Sequence, residues 1–473
     1  MNRRSFLATT TLTAAHLATR HSFAAQPADT IQVLIDPTPA TPPIPADFLG
    51  LGYEISSVTQ HNLLTPTNSV YLQLVRTLGA QGVLRIGGNT ADYASYAPNA
   101  TPLSLPKGTV VNEETLRNLG GFLKATNWKL IWALNLGQND LANAIAEAKA
   151  ITAIAGPHLL AFEIGNEPDL FPNEKHRPSL YTYAQWLADY RRYKSALRAA
   201  LPHIPFAGPD AASKTDWVTS FAADEGHDAV LLTHHYYRGG QRNPTSTIPT
   251  LLGPDPKLQP QLDQLRAASQ TSGLPYRICE VNSFSGGGRP GVSDTFAAAL
   301  WVLDYMFTLA RNGCSGVNME TGVNQLGFIS PYSPIFDDTH SHYTARPEYY
   351  GMLAFSLAAK GRILPTTLST ALPDIKLYAT QPTATKLTLT AINKGPHDQT
   401  LTIPIPTQLP ARHATILRLT APSLDVTTNI TLGGAQVSPD GTWKPLHAEP
   451  LSVTRRTLQL TIPATSAAIV RIT

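Results

Sequence analysis

The chain has 473 residues, of which 42% are hydrophobic and 15% are charged, and its formal net charge is +3 at pH 7. This composition is typical of a soluble globular protein with one large domain and a smaller one, and it excludes a disordered or fibrous chain. The sequence contains no Lys- or Arg-rich tract, so it offers no electrostatic footprint for nucleic acid or a strongly anionic polymer.

The first 25 residues have the pattern of an export signal. Arg3 and Arg4 precede Ser-Phe-Leu, a mildly apolar run follows, and small residues surround Ala24. This resembles a bacterial twin-arginine signal, and the run is too short and too rich in threonine to span a membrane. We expect residues 1–25 to be a cleaved signal and the mature protein, with almost no net charge, to be periplasmic or secreted. A disordered or helical N-terminus is the alternative.

The next segment combines a strand and a linker. "TIQVLID" has strand character, and the Pro-rich "PTPATPPIP" follows it. We expect residues 30–45 to join a β-sandwich that is completed at the other end of the chain.

Between residues 46 and 350, short apolar runs alternate with amphipathic helical stretches. The runs that read as strands are "FLGLGYE", "GVLRIGG", "KLIWALNLG", "LLAFEIGNE", "PFAGPD", "AVLLTHHYY", "YRICEVNSF" and "GVNMETG". Such alternation predicts a (β/α)8 TIM barrel rather than an open doubly wound sheet, because no Gly-rich dinucleotide-binding motif follows the first strand.

From residue 351 to residue 473 the hydrophobic pattern changes to a period of two. Segments such as "TKLTLTAINKG", "ATILRLTA" and "AAIVRIT" alternate in this way and are separated by Pro, Gly and Asn. This pattern predicts a C-terminal antiparallel β-sandwich, whose default role is to cover the side of the barrel. Cys279 and Cys314, the only cysteines, lie in apolar strand-like contexts. We expect buried free thiols, with a single disulfide as the alternative.

Two glutamates at strand ends carry the predicted chemistry. "LLAFEIGNEPDLF" moves from a strand into turn-forming residues, and Glu167 therefore ends the fourth strand, whereas Glu280 lies on the seventh. In a barrel of this kind the carboxyl ends of the strands form the active-site face. Two carboxylates flanking one bond are what glycoside hydrolysis requires. The alternative is a pair of solvated or salt-bridged strand-end residues.

The motifs resemble those of a known family. "EIGNEP" with a second Glu on strand seven resembles the clan A glycoside hydrolases, which are retaining (β/α)8 enzymes. "RIGGNTADY", "THHYY" and "EVNSFSGGGRPGVSDTFAAALWVLDYM" narrow the resemblance to glycoside hydrolase family 79, which holds β-glucuronidases and heparanases. The similarity covers about residues 30–473. It implies that Glu167 is the acid/base, Glu280 the nucleophile and Asn166 the residue that holds the 2-hydroxyl.

The resemblance also implies residues that bind the sugar. Glycine lacks a Cβ, so the backbone N–H groups of Gly286 and Gly287 can form an anion-binding nest for the C6 carboxylate of glucuronic acid. Tyr332 is expected to assist them, and Tyr236 to hydrogen-bond Glu280. A flexible loop is the alternative interpretation of the glycines.

Four further acidic or amide residues lie on or just after predicted strands. Glu54 and Asn89 match positions that hold sugar hydroxyls in the family, although related enzymes often carry Asp and Thr there. Glu163 and Glu320 are competing carboxylates, but alternation places Glu163 elsewhere on its strand and Glu320 matches no family role.

We therefore expect a retaining exo-acting β-glucuronidase that acts on a carbohydrate with terminal glucuronic acid and needs no cofactor or metal. The adjacent His234 and His235 do not favour a metal site, because neighbouring residues on a strand point to opposite faces. We expect no nucleic-acid partner and no membrane span. The alternatives are an endo-acting enzyme of heparanase type, a glycosidase for xylose or 4-O-methylglucuronate, and a glycan-binding protein with a decayed site.

Overall fold

The structure is a computed structural model that describes residues 31–39, 41–60, 62–323, 326–338 and 342–473. The expected export signal at residues 1–25 lies outside this part of the chain. Among the described residues, no helix has the length and apolar character needed to cross a membrane.

Eight parallel strands form one sheet that closes into a barrel. In chain order, barrel strands one to eight are Leu49–Glu54, Val83–Gly87, Lys129–Leu134, Leu159–Ile164, Ala207–Ala211, Leu231–Gly240, Tyr276–Ser285 and Gly316–Glu320. Strands one and eight are hydrogen-bonded neighbours. Strands four and five meet where the Phe162 N–H donates to the Pro205 carbonyl at 2.9 Å. The expected (β/α)8 barrel is confirmed.

A helix follows each barrel strand, as the alternating sequence pattern predicts. These helices are Ser69–Leu78, Glu113–Thr126, Leu141–Ala155, Tyr183–Ala200, Thr215–Glu225, Leu258–Ser272, Phe296–Arg311 and Pro347–Ala358. Shorter helical segments are Ile55–Val58, Ala91–Tyr93, Gly156–His158, Pro168–Leu170, Phe171–Glu174 and Ile248–Leu252. Two small two-stranded sheets join Ser95–Tyr96 to Val110–Val111 and Ile335–Asp337 to Tyr343–Ala345.

The barrel interior changes from apolar to polar along its axis. Small and branched side chains fill its lower part, namely Val83, Ile131, Ala161, Ala207, Leu231 and Cys279. Arg85 and Glu163 lie two residues further along the strands that contain Val83 and Ala161, and they therefore point into the same interior. The polar layer begins at the carboxyl ends of the strands.

The remaining strands form two mostly antiparallel sheets that pack against each other. One contains, in spatial order, Thr366–Leu368, Ile31–Ile35, Gln399–Pro404, Thr457–Ile462 and Val453–Thr454. The other contains Arg362–Leu364, Ile375–Thr383, Lys386–Asn393, Ser466–Ile472, Ala414–Thr420 and Thr431–Leu432, and Glu449–Leu451 pairs with Ala414–Thr420. The N-terminal strand Ile31–Ile35 thus lies within a sheet made mostly from the last quarter of the chain.

Helix Phe296–Arg311 joins the barrel to the sandwich, which explains why most of its residues are buried. The Phe307 and Tyr378 rings stack with their centroids 4.6 Å apart. The Tyr378 hydroxyl donates to Asp304 at 2.5 Å, and Lys394 forms an ion pair with the same carboxylate. Ring stacking and a largely buried ion pair therefore hold the barrel and the sandwich together. Cys279 and Cys314 are free and buried, as expected.

Candidate active site

The backbone at the end of the fourth barrel strand turns sharply to present Glu167. Gly165 has a φ of +83° and Glu167 a φ of +49°, a left-handed conformation that is uncommon outside glycine. The Glu167 N–H donates to the Asp210 carbonyl at 3.0 Å, and the Glu167 carbonyl accepts from the Leu170 N–H at 2.8 Å. Such conformations cluster at functional sites, where the surrounding bonds hold them in place.

Asp92 fastens this turn to the neighbouring loop. Its carboxylate accepts from the N–H groups of Leu136 at 3.0 Å, Gly137 at 2.8 Å and Asn166 at 2.9 Å. Burial raises the pKa of Asp92 to about 6, although these donors oppose the shift. One buried carboxyl group therefore positions the loops that follow strands two, three and four.

Glu167 and Glu280 face each other across the barrel mouth. One oxygen of each carboxylate and one ring nitrogen of His235 all lie within 4.8 Å of one another. The side chains of Glu167 and Glu280 are 12% and 10% exposed. The structure thus brings together the two glutamates that the sequence pattern predicted as a pair.

Glu280 is surrounded by hydrogen-bond donors. Its Oε2 accepts from Arg85 Nη1 at 2.8 Å, and its Oε1 accepts from the Tyr237 hydroxyl at 2.8 Å. Donors that point at a carboxylate stabilise its charged form, and a guanidinium does so most strongly. This is the environment that a carboxylate nucleophile requires.

Glu167 lies in a different environment. Burial raises the pKa of Glu167 to about 7, and the charge of Glu280 acts in the same direction, whereas a hydrogen bond with His235 opposes the shift. At neutral pH a substantial fraction of Glu167 therefore carries a proton. The two carboxyl groups differ as an acid/base and a nucleophile must differ.

His235 links the acid/base candidate to a second carboxylate. Its Nδ1 lies 2.9 Å from Glu167 Oε1, and its Nε2 lies 2.7 Å from Asp210 Oδ1. Burial alone would lower the pKa of His235, but the charges of Asp210 and Glu280 outweigh it, so the pKa lies well above its usual value. The imidazolium donates from both nitrogens and fixes the orientation of Glu167.

Arg85 is the centre of the network, and sequence reasoning missed its role. This fully buried side chain donates to Glu163 at 3.0 Å, to Glu280 at 2.8 Å, to Asn166 Oδ1 at 2.7 Å and to Asp210. An arginine inside the apolar run "GVLRIGG" was the available signal, because a buried guanidinium requires acidic partners. The roles of His235 and Asp210 were also missed.

The predicted contact between Tyr236 and Glu280 is wrong. The Tyr236 hydroxyl donates to Asp255, and Tyr236 stacks on Tyr305 outside the barrel interior. Its neighbour Tyr237 makes the contact with Glu280 instead. Adjacent residues on a strand point to opposite sides, so only Tyr237 can share the inner face with His235.

The expected sugar-binding residues lie around the carboxylate pair. Asn166 Nδ2 donates to Asn89 Oδ1 at 3.2 Å. Glu54 accepts from the Thr90 N–H at 2.8 Å and from its hydroxyl at 2.7 Å. Burial, assisted by the charge of Glu280, raises the pKa of Glu54 to about 7. Asn89 and Glu54 therefore lie beside the residues that would hold the reacting carbon.

The glycine loop and Tyr332 meet at the edge of the site. Gly286, Gly287 and Gly288 have φ values of +82°, +97° and +88°. Residues that carry a Cβ atom disfavour such values. The Tyr332 N–H donates to the Gly287 carbonyl at 3.3 Å, and the Tyr332 and Tyr237 rings stack at 6.4 Å. The structure thus joins the glycine loop to the tyrosine that holds Glu280.

The cluster of Glu167, His235 and Glu280 has the composition of a metal site. However, both ring nitrogens of His235 already contact carboxylates, and the raised pKa of His235 favours an imidazolium, which has no free lone pair for a metal. The donor set therefore fits an ion-pair network better than a metal centre.

Comparisons with known proteins identify relatives of this chain. The family model of the glycosyl hydrolase family 79 C-terminal beta domain matches residues 369–469, within the β-sandwich. A β-glucuronidase of Aspergillus niger is 27% identical over 370 residues, which is 69% of this chain and just under two thirds (66%) of that relative. A β-glucuronidase of Neurospora crassa is 26% identical over 469 residues, covering 87% of this chain and 82% of that protein.

A solved structure has the same fold along nearly the whole chain. It is a 4-O-α-L-rhamnosyl-β-D-glucuronidase from Fusarium oxysporum 12S, with a TM-score of 0.76 and 19% identity, covering 93% of this chain and 99% of that one. The match includes both the barrel and the sandwich. The resemblance to glycoside hydrolase family 79 is confirmed, and the chain is a glycoside hydrolase.

Proposed function

We propose that the protein is an exo-acting β-glucuronidase that releases terminal D-glucuronic acid with retention of configuration. The observation that carries this proposal is the pair of opposed carboxyl groups with different environments. Glu280 is held by Arg85 and Tyr237, and Glu167 is held by His235 with its pKa raised to about 7.

The first step forms a bond between enzyme and sugar. A carboxylate oxygen of Glu280 attacks C1 while the bond from C1 to the leaving oxygen breaks, and Glu167 transfers its proton to that oxygen. Arg85 and Tyr237 hold the Glu280 carboxylate in place through hydrogen bonds to its two oxygens. Asn166, whose side chain is fixed by Arg85, is placed to hold the 2-hydroxyl.

The second step releases the sugar. Glu167, now ionised, takes a proton from a water molecule, whose oxygen attacks C1 and breaks the bond to Glu280. His235 stabilises the ionised form of Glu167, because the imidazolium donates to its Oε1 at 2.9 Å. The same residue thus serves as acid and then as base.

The spacing of the two carboxyl groups supports retention. Their carboxyl carbons lie about 5–5.5 Å apart in retaining enzymes and about 6.5–9.5 Å apart in inverting ones, which need room for a water molecule. Here an oxygen of Glu167 and an oxygen of Glu280 lie within 4.8 Å. Oxygens this close are compatible with direct attack by Glu280.

Two observations support glucuronic acid as the sugar. The two curated relatives described above are β-glucuronidases. The glycine loop, with three successive positive φ values, contacts Tyr332 beside Glu280. Backbone N–H groups in such a loop are suited to bind the C6 carboxylate, which glucose and xylose lack.

The burial of the carboxyl pair supports exo action. Only 12% of the Glu167 side chain and 10% of the Glu280 side chain are exposed, which suits the enclosure of a terminal sugar residue. An endo-acting enzyme for a sulfated polymer requires rows of Lys and Arg along an open cleft, and the sequence contains no such basic tract.

A panel of 4-nitrophenyl β-D-glycosides tests the proposal. We expect the glucuronide to be cleaved with a kcat/KM at least about 100-fold above that of the glucoside or xyloside. A neutral sugar leaves buried hydrogen-bond donors of the site without an acceptor, which weakens its binding in the transition state. NMR at early times should show β-glucuronic acid as the first product. Equal cleavage of the glucoside would refute the substrate, and release of internal fragments from a glucuronate-containing polymer would refute exo action.

A further inference from the structure

One buried acid in the site has no assigned role. Glu320 ends the eighth barrel strand and is 2% exposed. Neither of its carboxylate oxygens has a hydrogen-bond partner within the described part of the chain. An unpartnered buried carboxyl group costs stability, so its position calls for a ligand.

The sheet register places Glu320 in the interior of the barrel. Glu320 pairs with Gly52 on strand one, and Gly52 pairs with Arg85 on strand two. The three residues therefore share one layer, and Arg85 points to the catalytic pair. A Cβ on Gly52 would lie 2.6 Å from Glu320 Oε2. Glycine at position 52 thus makes room for this carboxyl group.

A single amide connects Glu320 to the glycine loop. Asn282 Nδ2 donates to the Glu320 carbonyl at 3.0 Å and to the Tyr332 carbonyl at 3.3 Å. The Tyr332 N–H in turn donates to the Gly287 carbonyl at 3.3 Å. Glu320 is therefore fixed next to the loop and the tyrosine that we propose as the binding site of the sugar carboxylate.

Burial and nearby acidic groups disfavour the ionised form of Glu320. Burial, followed by the charges of Glu280 and Glu54, raises the pKa of Glu320 well above its usual value, although Arg85 and His235 act in the opposite direction. The other titratable groups that interact with it are the hydroxyls of Tyr53, Tyr237 and Tyr332. A neutral carboxylic acid is a hydrogen-bond donor, whereas an ionised one only accepts.

We propose that Glu320 acts as a neutral carboxylic acid that donates an O–H···O hydrogen bond to the carboxylate of the bound glucuronate. An ionised Glu320 would repel that anion, and a neutral sugar would leave the donor unpaired. Glu320 is thus a specificity-determining residue. This inference rests on the proposed function, because it names a further group that recognises the acid sugar.

The test compares Glu320→Gln with Glu320→Met. Glutamine keeps a donor of the same length, whereas methionine keeps the volume without a donor. We expect Glu320→Met to raise KM for 4-nitrophenyl β-glucuronide by about 10- to 100-fold, since a hydrogen bond to a charged group is lost. Its kcat should change less, its glucuronide-to-glucoside ratio of kcat/KM should fall, and Ki for D-glucuronate should rise in parallel. Glu320→Gln, which keeps a donor, should recover most of the affinity and selectivity that Glu320→Met loses.

The melting temperature provides an independent measurement. Glu320→Met removes an unpartnered buried acid, so it should raise Tm while it weakens glucuronide binding. Unchanged KM and selectivity in Glu320→Met would overturn the inference. A loss in Glu320→Gln equal to that in Glu320→Met would also overturn it, because it would show that the carboxylate acts as a charge or acceptor. A wild type inactive on the glucuronide would instead refute the proposed function.

Discussion

Glu167 and Glu280 differ in the charged groups that contact them, and this difference is the basis of the roles that we propose for them. Glu280 accepts from Arg85, a permanent cation, whereas Glu167 accepts from His235, whose second nitrogen is held by Asp210. The cation closest to the nucleophile cannot lose its proton under ordinary conditions. A permanent cation therefore contacts Glu280, whereas Glu167 lies beside an ionisable imidazole.

Replacing each glutamate by alanine should separate the two roles. Glu280→Ala should abolish turnover of every glucuronide, because no other group attacks C1. Glu167→Ala should lose about 10²–10⁴-fold on a poor leaving group and much less on an activated aryl glucuronide. Azide should restore activity to Glu167→Ala and yield a β-glucuronosyl azide, detected by NMR. Equal losses without rescue in either variant would contradict the assignment.

The pKa of Glu167 predicts the alkaline side of the pH profile. Glu167 must be protonated in the first step, and its pKa is about 7. The value of kcat/KM should therefore fall as pH rises above about 7, most steeply for a phenyl or methyl glucuronide with a poor leaving group. An identical profile for poor and activated leaving groups would show that Glu167 is not the group that titrates.

Two adjacent tyrosines provide a matched pair of variants. Tyr237 donates to Glu280 and Tyr236 donates to Asp255. Tyr237→Phe should lower kcat by about 10- to 100-fold, because a hydrogen bond to a charged group is lost at the nucleophile. Tyr236→Phe should leave kcat unchanged and lower the free energy of unfolding by about 1–3 kcal/mol. The reverse pattern in steady-state kinetics would restore the original assignment of Tyr236.

At the scale of elements, the glycine loop between Ser285 and Val292 is fixed to Tyr332 by close backbone contact. A Cβ on Gly288 would lie 2.7 Å from the Tyr332 nitrogen, whereas one on Gly291 would have no heavy atom within 4 Å. Both glycines have positive φ values, +88° and +73°, so alanine strains the backbone similarly at each. Only position 288 tests the packing against Tyr332.

Gly288→Ala should therefore lower kcat/KM for the glucuronide by at least about 10-fold, because the loop must move away from Tyr332 and its N–H donors lose their alignment. Gly291→Ala should retain wild-type kinetics and serves as the control for strain. The measurement is kcat/KM on 4-nitrophenyl β-glucuronide, with Tm recorded for both variants. Equal effects of the two substitutions would mean that the loop does not form the carboxylate site.

The strand order and the two glutamates could be predicted because local sequence patterns indicate both. Alternating apolar runs predict the barrel, and a polar residue at the end of a buried strand predicts the active face. The partners of these residues could not be predicted in the same way. Arg85 reaches Glu280 across 195 positions of sequence, and a shift in register between Ile278 and Glu280 changes which side chains of strand seven face inward.

For the molecule as a whole, buried acids set the dependence of stability on pH. Glu147 lies on helix Leu141–Ala155, far from the catalytic pair, and burial raises its pKa to about 8. Burial also raises the pKa of Glu163 to about 8. A carboxyl group with a raised folded-state pKa contributes its full stability below its unfolded pKa, near 4.5. That contribution is lost as pH rises through the folded-state pKa. These groups therefore destabilise the fold in alkaline solution.

Glu147→Gln isolates this effect from catalysis. The variant cannot ionise, so its Tm should exceed that of the wild type by several degrees at pH 8 and should differ little at pH 4.5. Activity on the glucuronide should stay unchanged, because Glu147 lies on the outer helix layer. Calorimetry at several pH values measures the effect. A Tm difference that is the same at both pH values would show that Glu147 is not buried as a neutral acid.

The N-terminal strand Ile31–Ile35 has its partners at Gln399–Pro404 and Thr366–Leu368. During synthesis on the ribosome, these partners emerge only after the whole barrel has been made, so the barrel can fold first while this strand has no sheet to join. We therefore expect the first strand to join the sheet late in folding, because a contact of very long sequence separation is slow to form. Truncation at the beginning of the chain would consequently damage the sheet at its end.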